Sequence, residues 1–139
     1  MSATLLSVSD VTINKGLRQL LHGVDFAVKS GEIWQLRGGN GVGKTSLLRA
    51  IAGLARVEVF GAIDRCDDVL YSGHATALKS ALSARDNLLS HPSGMGMPTS
   101  AEVDDALARV QLRGYEEAKA GRLSAGQKRR LALARLFLP

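Results

Sequence analysis

Gly38-Gly39-Asn40-Gly41-Val42-Gly43-Lys44-Thr45 satisfies the pattern G-x-x-x-x-G-K-[ST] without a mismatch, and its reading decides the fold. A polyphosphate needs several backbone N–H groups turned inward at once. Gly38, Gly41 and Gly43 let the chain turn tightly and approach such a ligand with no Cβ in the way. The Lys44 ammonium can reach the β- and γ-phosphates, a charge-assisted contact of roughly 1.5–3 kcal/mol when well made. The Thr45 hydroxyl is placed to hold Mg²⁺. The run, with Ser46 after it, reads as a phosphate cradle.

Its flanks have the order the pattern requires. Glu32-Ile33-Trp34-Gln35-Leu36-Arg37 has the length and apolar content of a strand. Downstream, Leu47, Leu48 and Ile51 recur at helical spacing, and Gly53 can end the helix. The positive end of that helix would face the phosphates. A glycine-rich turn that binds nothing is the bland alternative. The pattern by itself does not choose among kinases, GTPases, motor ATPases and transporter ATPases.

Bulk properties narrow the field. With 139 residues, 45% hydrophobic and 22% charged, the chain is expected to fold as one globular domain with its own core. A net charge of +5 suits an anionic ligand, an anionic membrane surface or nucleic acid. Only 4% of residues are aromatic, so the stacking platform of a single-strand or RNA binder is poorly supplied and no nucleic acid is expected as partner. Cys66 is the sole cysteine, which excludes an internal disulfide and fits a reducing compartment. No signal peptide opens the chain, and no apolar run approaches the ~20 residues that span a bilayer. Work at a membrane would then be done from the cytoplasmic face, through a partner.

Along the chain, residues 5–13 are strand-like but irregular, and Val24, Phe26 and Val28 alternate with polar or small residues as in a half-buried strand. Val57, Val59 and Ile63 around Gly61 suggest a short hairpin. Val69-Leu70-Tyr71 reads as a buried strand, with Asp67-Asp68 at its mouth as solvated acids rather than metal ligands. Ser83-Ala84-Arg85-Asp86 approximates a capping box, and Thr99-Ser100-Ala101-Glu102 is a cleaner one. Val103, Ala106, Leu107 and Val110 then form an apolar stripe that Gly114 can stop. A composition shift near Gly73 divides a β and phosphate-loop portion, 1–73, from a helical portion, 74–139.

Leu123-Ser124-Ala125-Gly126-Gln127, followed by Lys128-Arg129-Arg130, opens the last helix. Ser124 can cap it, Gln127 can reach back, and small Ala125 and Gly126 leave N–H groups accessible to an anion. Taken alone this is an ordinary capped helix, with Leu131, Leu133, Ala134 and Leu136 facing inward and Lys128 to Arg130 solvated. Paired with the cradle far upstream, it resembles the second phosphate-binding end of an ABC transporter ATPase. Leu-Ser-Ala-Gly-Gln is similar to that family's signature motif, and residues 38–45 to its Walker A. Within the family, the stretches 40–49, Leu70-Tyr71-Ser72-Gly73-His74 and 123–136 resemble the ATP-binding subunits of haem exporters that serve cytochrome c maturation.

The resemblance implies an α/β fold of the P-loop NTPase class, an ABC-type nucleotide-binding domain with an N-terminal antiparallel β part and a helical subdomain. It implies ATP and Mg²⁺ as cofactors, with Thr45 on the metal. It implies a head-to-tail dimer with a second ATPase subunit, in which Ser124, Gly126 and Gln127 meet the partner's nucleotide. It also implies integral membrane transporter subunits, and a peripheral place on the cytoplasmic face of the inner membrane. The function expected is ATP binding and hydrolysis coupled to haem export.

Several departures bear on that expectation. The family continues past its signature helix into an apolar strand ending in Asp-Glu, the Mg²⁺ ligand and general base, and later a switch histidine. This chain stops at Pro139. A general base typically contributes ~10²–10⁴-fold, so the chain is expected to be a C-terminally incomplete fragment that lacks catalytic residues of its own. The alternative function is a non-catalytic nucleotide-binding or assembly module. His74 stands where most members carry a glutamine, and is either a coupling residue or a plain surface histidine. Ile13-Asn14-Lys15 offers no ring to stack on adenine. Gly39 replaces a proline or serine common in the family. A DNA-repair ATPase of this family would need a long coiled-coil insertion, which is absent.

Overall fold

A one-residue bulge decides how the first part of the chain packs. In the computed structural model, which describes residues 2–66, 69–73, 75–90 and 96–138, β1 (Thr4–Lys15) is the centre of an antiparallel sheet of order β2-β1-β3. Its neighbours are β2 (Arg18–Lys29) and β3 (Glu58–Arg65). Strand side chains alternate faces, yet Val8, Val11 and Ile13 are all buried on one side. The parity switch lies at Asp10, whose φ is 49° and where the register shifts against both neighbours. Between Ser9 and Thr12, β1 spends one more residue than β3 does between Ala62 and Phe60. That extra residue is why the apolar pattern of 5–13 looks irregular in sequence. The Asp25 carboxylate accepts the displaced Asp10 N–H at 2.8 Å.

Gly61 is therefore not a hairpin turn, as its sequence context suggested. It sits within β3 at φ 91°, opposite the bulge. The strand runs straight through because glycine alone can lie against the Asp10 backbone there.

The helix α1 (Lys44–Ile51) supplies Leu47, Ala50 and Ile51 to the same core as Val8, Val11 and Ile13. It ends as expected at Gly53, whose φ is 72°. The Gly53 N–H donates to Ala50 and the Leu54 N–H to Arg49, which closes the helix with a left-handed residue. The Arg65 guanidinium adds a bond to the Ile51 carbonyl at 2.8 Å.

Two expected strands do not form. Residues 32–37 and 69–71 carry no ladder, and Ile33, Trp34, Leu36, Val69 and Leu70 are exposed, Ile33 fully. A strand needs a neighbour to take its N–H and C=O groups, and no described segment pairs with either run. Local contacts anchor the first of them instead. Trp34 stacks on Phe26 with ring centroids 5.4 Å apart, and the Glu32 carboxylate accepts from the Lys29 N–H and the Trp34 indole. Those bonds, the Lys29 one foremost, hold the Glu32 carboxyl below its ordinary pKa. Asp67 and Asp68 lie outside the described residues.

Residues 1–71 and 72–139 form two compact units. The second is helical, with α2 (Ala84–Leu89), α3 (Ser100–Arg109) and α4 (Ala125–Ala134). Ala84, Leu88, Val103, Ala106, Leu107, Leu112, Leu131 and Ala134 are its core. Ser83 caps α2 by accepting the Asp86 N–H, and Thr99 with Glu102 forms a complete capping box on α3. The stop of α3 comes earlier than Gly114. Gln111, at φ 59°, takes the left-handed position, and the N–H groups of Gln111 and Leu112 close on Ala108 and Leu107. On α4, Leu131 and Ala134 are buried as expected, but Leu133 and Leu136 are exposed and Ala132 is buried in their place. The helix tightens into a 3-10 turn at Arg135–Phe137, which carries Leu136 off the inner face.

Candidate functional site

Gly41 and Gly43 adopt φ values of 78° and 111°, which a side chain would strain, and Gly43 is buried. A Cβ on Gly43 would lie 3.1 Å from Leu21 Cγ and 3.2 Å from Leu20 Cβ, so β2 lies close against the loop at this glycine. Gly43 is also the N-cap of α1 and gives it no side-chain cap, so the first N–H groups of the helix lack side-chain partners. The Lys44 ammonium folds back on its own loop and donates to the carbonyls of Gly38 and Gly39, at 2.5 Å each.

These features border a cavity of about 320 Å³ lined by Lys15, Arg18, Leu20, Asn40, Gly41, Gly43, Lys44, Thr45 and Ser46. Among the described residues, the wall holds three cations and no carboxylate. Gly38, Gly39 and Val42 shape the loop without lining this space; a Cβ on Gly38 would meet Val42 Cγ2 at 3.0 Å. The donor set fits a polyphosphate, with uncapped N–H groups, an ammonium that can exchange two carbonyl partners for phosphate oxygens, and hydroxyls from Thr45 and Ser46. It fits Mg²⁺ only as a companion of such a ligand. Thr45 offers one oxygen, and no group of three or more His, Cys, Asp or Glu among the described residues could hold a metal ion.

The second set gathers at the start of α4. Ser124 Oγ accepts the Gln127 N–H at 3.1 Å, and Gln127 Oε1 accepts the Ser124 N–H at 2.8 Å, so the capping box is complete. Ser124, Ala125 and Gly126 are exposed, and a Cβ on Gly126 would meet nothing within 4 Å. The helix start thus faces open space. Lys128 to Arg130 are not uniformly solvated. The Arg130 guanidinium donates to the carbonyls of Val110 and Gln111 at the end of α3, and Arg129 reaches the Gly73 carbonyl at 3.5 Å. The cradle residues belong to the first unit, and Ser124, Gly126 and Gln127 to the second. His74 and His91 lie outside the described residues.

Sequence reading missed Lys15, Arg18 and Leu20 as wall residues. The signal was available in the tight turn at Gly16, which brings Lys15 and Arg18 opposite each other as strand partners beside the glycine loop. It also missed Asn87, buried in α2. Its amide donates to the carbonyls of Lys79, Leu82 and Ser83 and accepts the Lys79 N–H, fixing the loop that precedes the helix.

Known proteins of similar sequence and fold give the chain a family. The profile of the ABC transporter family matches residues 21–139. The cytochrome c biogenesis ATP-binding export protein CcmA of Shewanella frigidimarina is 46% identical over 97% of this chain and 67% of its own length. CcmA of Rhodobacter capsulatus is 43% identical over 97% of this chain and 62% of its own. The chain spans about two thirds of the length of these curated relatives. Among solved structures, an ATP-binding subunit of an ABC transporter superposes with a TM-score of 0.81 at 23% identity, covering 94% of this chain and 60% of that one. CbiO1 of Clostridium perfringens, part of the ABC transporter complex CbiONQ, gives 0.70 at 24%, covering 96% and 61%. At such identities these two speak for the fold alone. With the family profile spanning most of the chain and relatives above 40% identity over nearly all of it, the chain belongs to the ABC transporter family, and its sequence lies with the ATP-binding export proteins of cytochrome c biogenesis.

Proposed function

We propose that the chain is the ATP-binding portion of an ABC transporter subunit that couples nucleotide binding to haem export in cytochrome c maturation. The cavity at the uncapped start of α1 carries the proposal, with Lys44 poised over the loop carbonyls and no carboxylate among the described wall residues. The cradle residues 38–46 bind the phosphate chain, and Lys44 releases Gly38 and Gly39 to take phosphate oxygens. Thr45, whose hydroxyl lines the cavity, would hold a Mg²⁺ ion together with the phosphates, and that ion would offset part of their negative charge. Ser124 and Gly126, at the exposed start of α4, supply hydroxyl and N–H groups to the nucleotide of a second copy, and Gln127 keeps Ser124 oriented through the capping box. ATP then joins two copies head to tail, and membrane subunits receive the motion. The name of the CcmA relatives supports the export role. No described helix is long and apolar enough to cross a membrane, which suits a peripheral subunit at the cytoplasmic face of the inner membrane.

Sedimentation of the chain with and without Mg·ATP tests this reading. ATP should raise the dimer fraction, and S124R or K44A should abolish the rise. Association indifferent to ATP, or to both substitutions, would remove the proposal.

A second reading has an observation of its own. Among the described residues, the wall of the phosphate cavity contains cations, hydroxyls and backbone but no acid to polarise water, which favours binding without turnover by this chain. Phosphate release at ~1 per second or faster would exclude it.

A further inference from the structure

Lys15 closes β1 and Arg18 opens β2, and the two are strand partners across a tight turn at Gly16 and Leu17. That pairing delivers two cations to one end of the hairpin, and both line the cavity that Lys44, Thr45 and Ser46 also line. Neither side chain forms an ion pair among the described residues, whereas Arg85 and Arg109 do. Lys44 is already occupied by the carbonyls of Gly38 and Gly39. Three positive charges around about 320 Å³, with no acid among the described wall residues, repel one another until an anion enters.

The same wall has little with which to recognise a base. Phe26 and Trp34 stack on each other, and neither these rings nor those of Phe60 and Tyr71 are among the described residues that line the cavity. Leu20 is the apolar side chain available, and a leucine has no face that distinguishes one base from another. Base stacking on an aromatic ring is typically worth ~1–3 kcal/mol, so a site without one loses the contact that most rewards a purine. What remains is charge.

We propose that Lys15 and Arg18 act as a second phosphate clamp, and that this site selects its nucleotide by the length and charge of the phosphate chain rather than by the base. The inference rests on the reading of the cavity as a nucleotide site. It adds the class of ligand taken, which is any nucleoside triphosphate with Mg²⁺, and inorganic triphosphate to a comparable degree. The cradle and Lys44 hold one end of the phosphate chain, and the hairpin cations hold the other. The bound ligand is then gripped between α1 and the β1–β2 turn.

The test is a calorimetric series on the full chain with Mg²⁺ complexes of ATP, GTP, CTP and inorganic triphosphate, together with AMP. Affinities for the three nucleoside triphosphates should agree within about threefold, AMP should bind far more weakly, and raising salt should weaken all triphosphates in parallel. K15Q/R18Q should weaken every triphosphate by about tenfold, and R18K should recover most of the loss in the K15 background, since it restores the charge. Both positions are exposed at a hairpin end, and circular dichroism of the variants verifies that the sheet is intact. A preference for ATP over CTP above about tenfold would overturn the inference. So would an affinity that K15Q/R18Q leaves unchanged. If N14A abolished such an ATP preference, base reading would belong to Asn14, whose buried Oδ1 has no hydrogen-bond partner among the described residues. Absence of saturable binding by any triphosphate would overturn the nucleotide reading of the cavity and this inference with it, whereas binding with strong base preference would overturn this inference alone.

Discussion

The carbonyl of Asp10 in β1 occupies the space that a Cβ on Gly61 in β3 would need. The bulge pushes that backbone toward β3, and Ser9 O would also lie 2.7 Å from the added carbon. Gly61 in addition holds φ 91°, closed to most side chains. Gly61→Ala should therefore destabilise the fold by about 2–4 kcal/mol, read as a lower urea midpoint. An unchanged midpoint would mean that the bulge relaxes freely.

Gln111 presents the opposite case. It fills the left-handed position that ends α3, at φ 59°, and its N–H and that of Leu112 complete the helix stop. Glycine holds this conformation without the Cβ penalty, so Gln111→Gly should stabilise by about 0.5–1 kcal/mol in the same assay. A loss of stability would show that the Gln111 side chain contributes more than its backbone strain costs.

Asn87 is 2% exposed and uses both ends of its amide on the loop before α2. Asn87→Asp keeps the acceptor for the Lys79 N–H but cannot donate to the carbonyls of Lys79 and Ser83. It should cost about 2–4 kcal/mol, more than a surface substitution does, and amide exchange at residues 79–83 should accelerate.

Acid should loosen the start of α3. The Glu102 carboxyl accepts from the Thr99 N–H at 2.7 Å and from its hydroxyl at 2.9 Å, and these bonds, the backbone one first, hold its pKa below the ordinary 4.5. A depressed carboxyl pKa contributes stability that is complete above the unfolded value of 4.5 and is lost as pH falls through the lower folded value. The urea midpoint should thus fall with pH below 4.5, and Glu102→Gln should flatten part of that fall. A slope identical in parent and variant would assign the acid response elsewhere.

Local chemistry was legible in the sequence wherever a few neighbouring residues decide the outcome. The caps at Ser83, Thr99 and Ser124, the stop at Gly53 and the buried stripe from Val103 to Val110 follow from side chains within one or two turns. What escaped depends on distant partners. The bulge at Asp10 needs β2 and β3 to define it, and Gly61 reads as a turn until the Asp10 backbone lies against it. Residues 32–37 and 69–71 have strand composition, but composition cannot supply the ladder they lack among the described residues. The glycine loop and the helix that follows it were readable from spacing. Lys15 and Arg18 were not, because the hairpin, not the motif, carries them to its edge.

Titration calorimetry of Mg·ATP into the parent chain and into Lys44→Ala tests the central claim most directly. The parent should saturate with one nucleotide per chain, and the substitution should weaken binding about ten- to a hundredfold, the worth of a well-made charge-assisted contact. Equal affinities in the two proteins would show that the ammonium resting on Gly38 and Gly39 never leaves them for a phosphate.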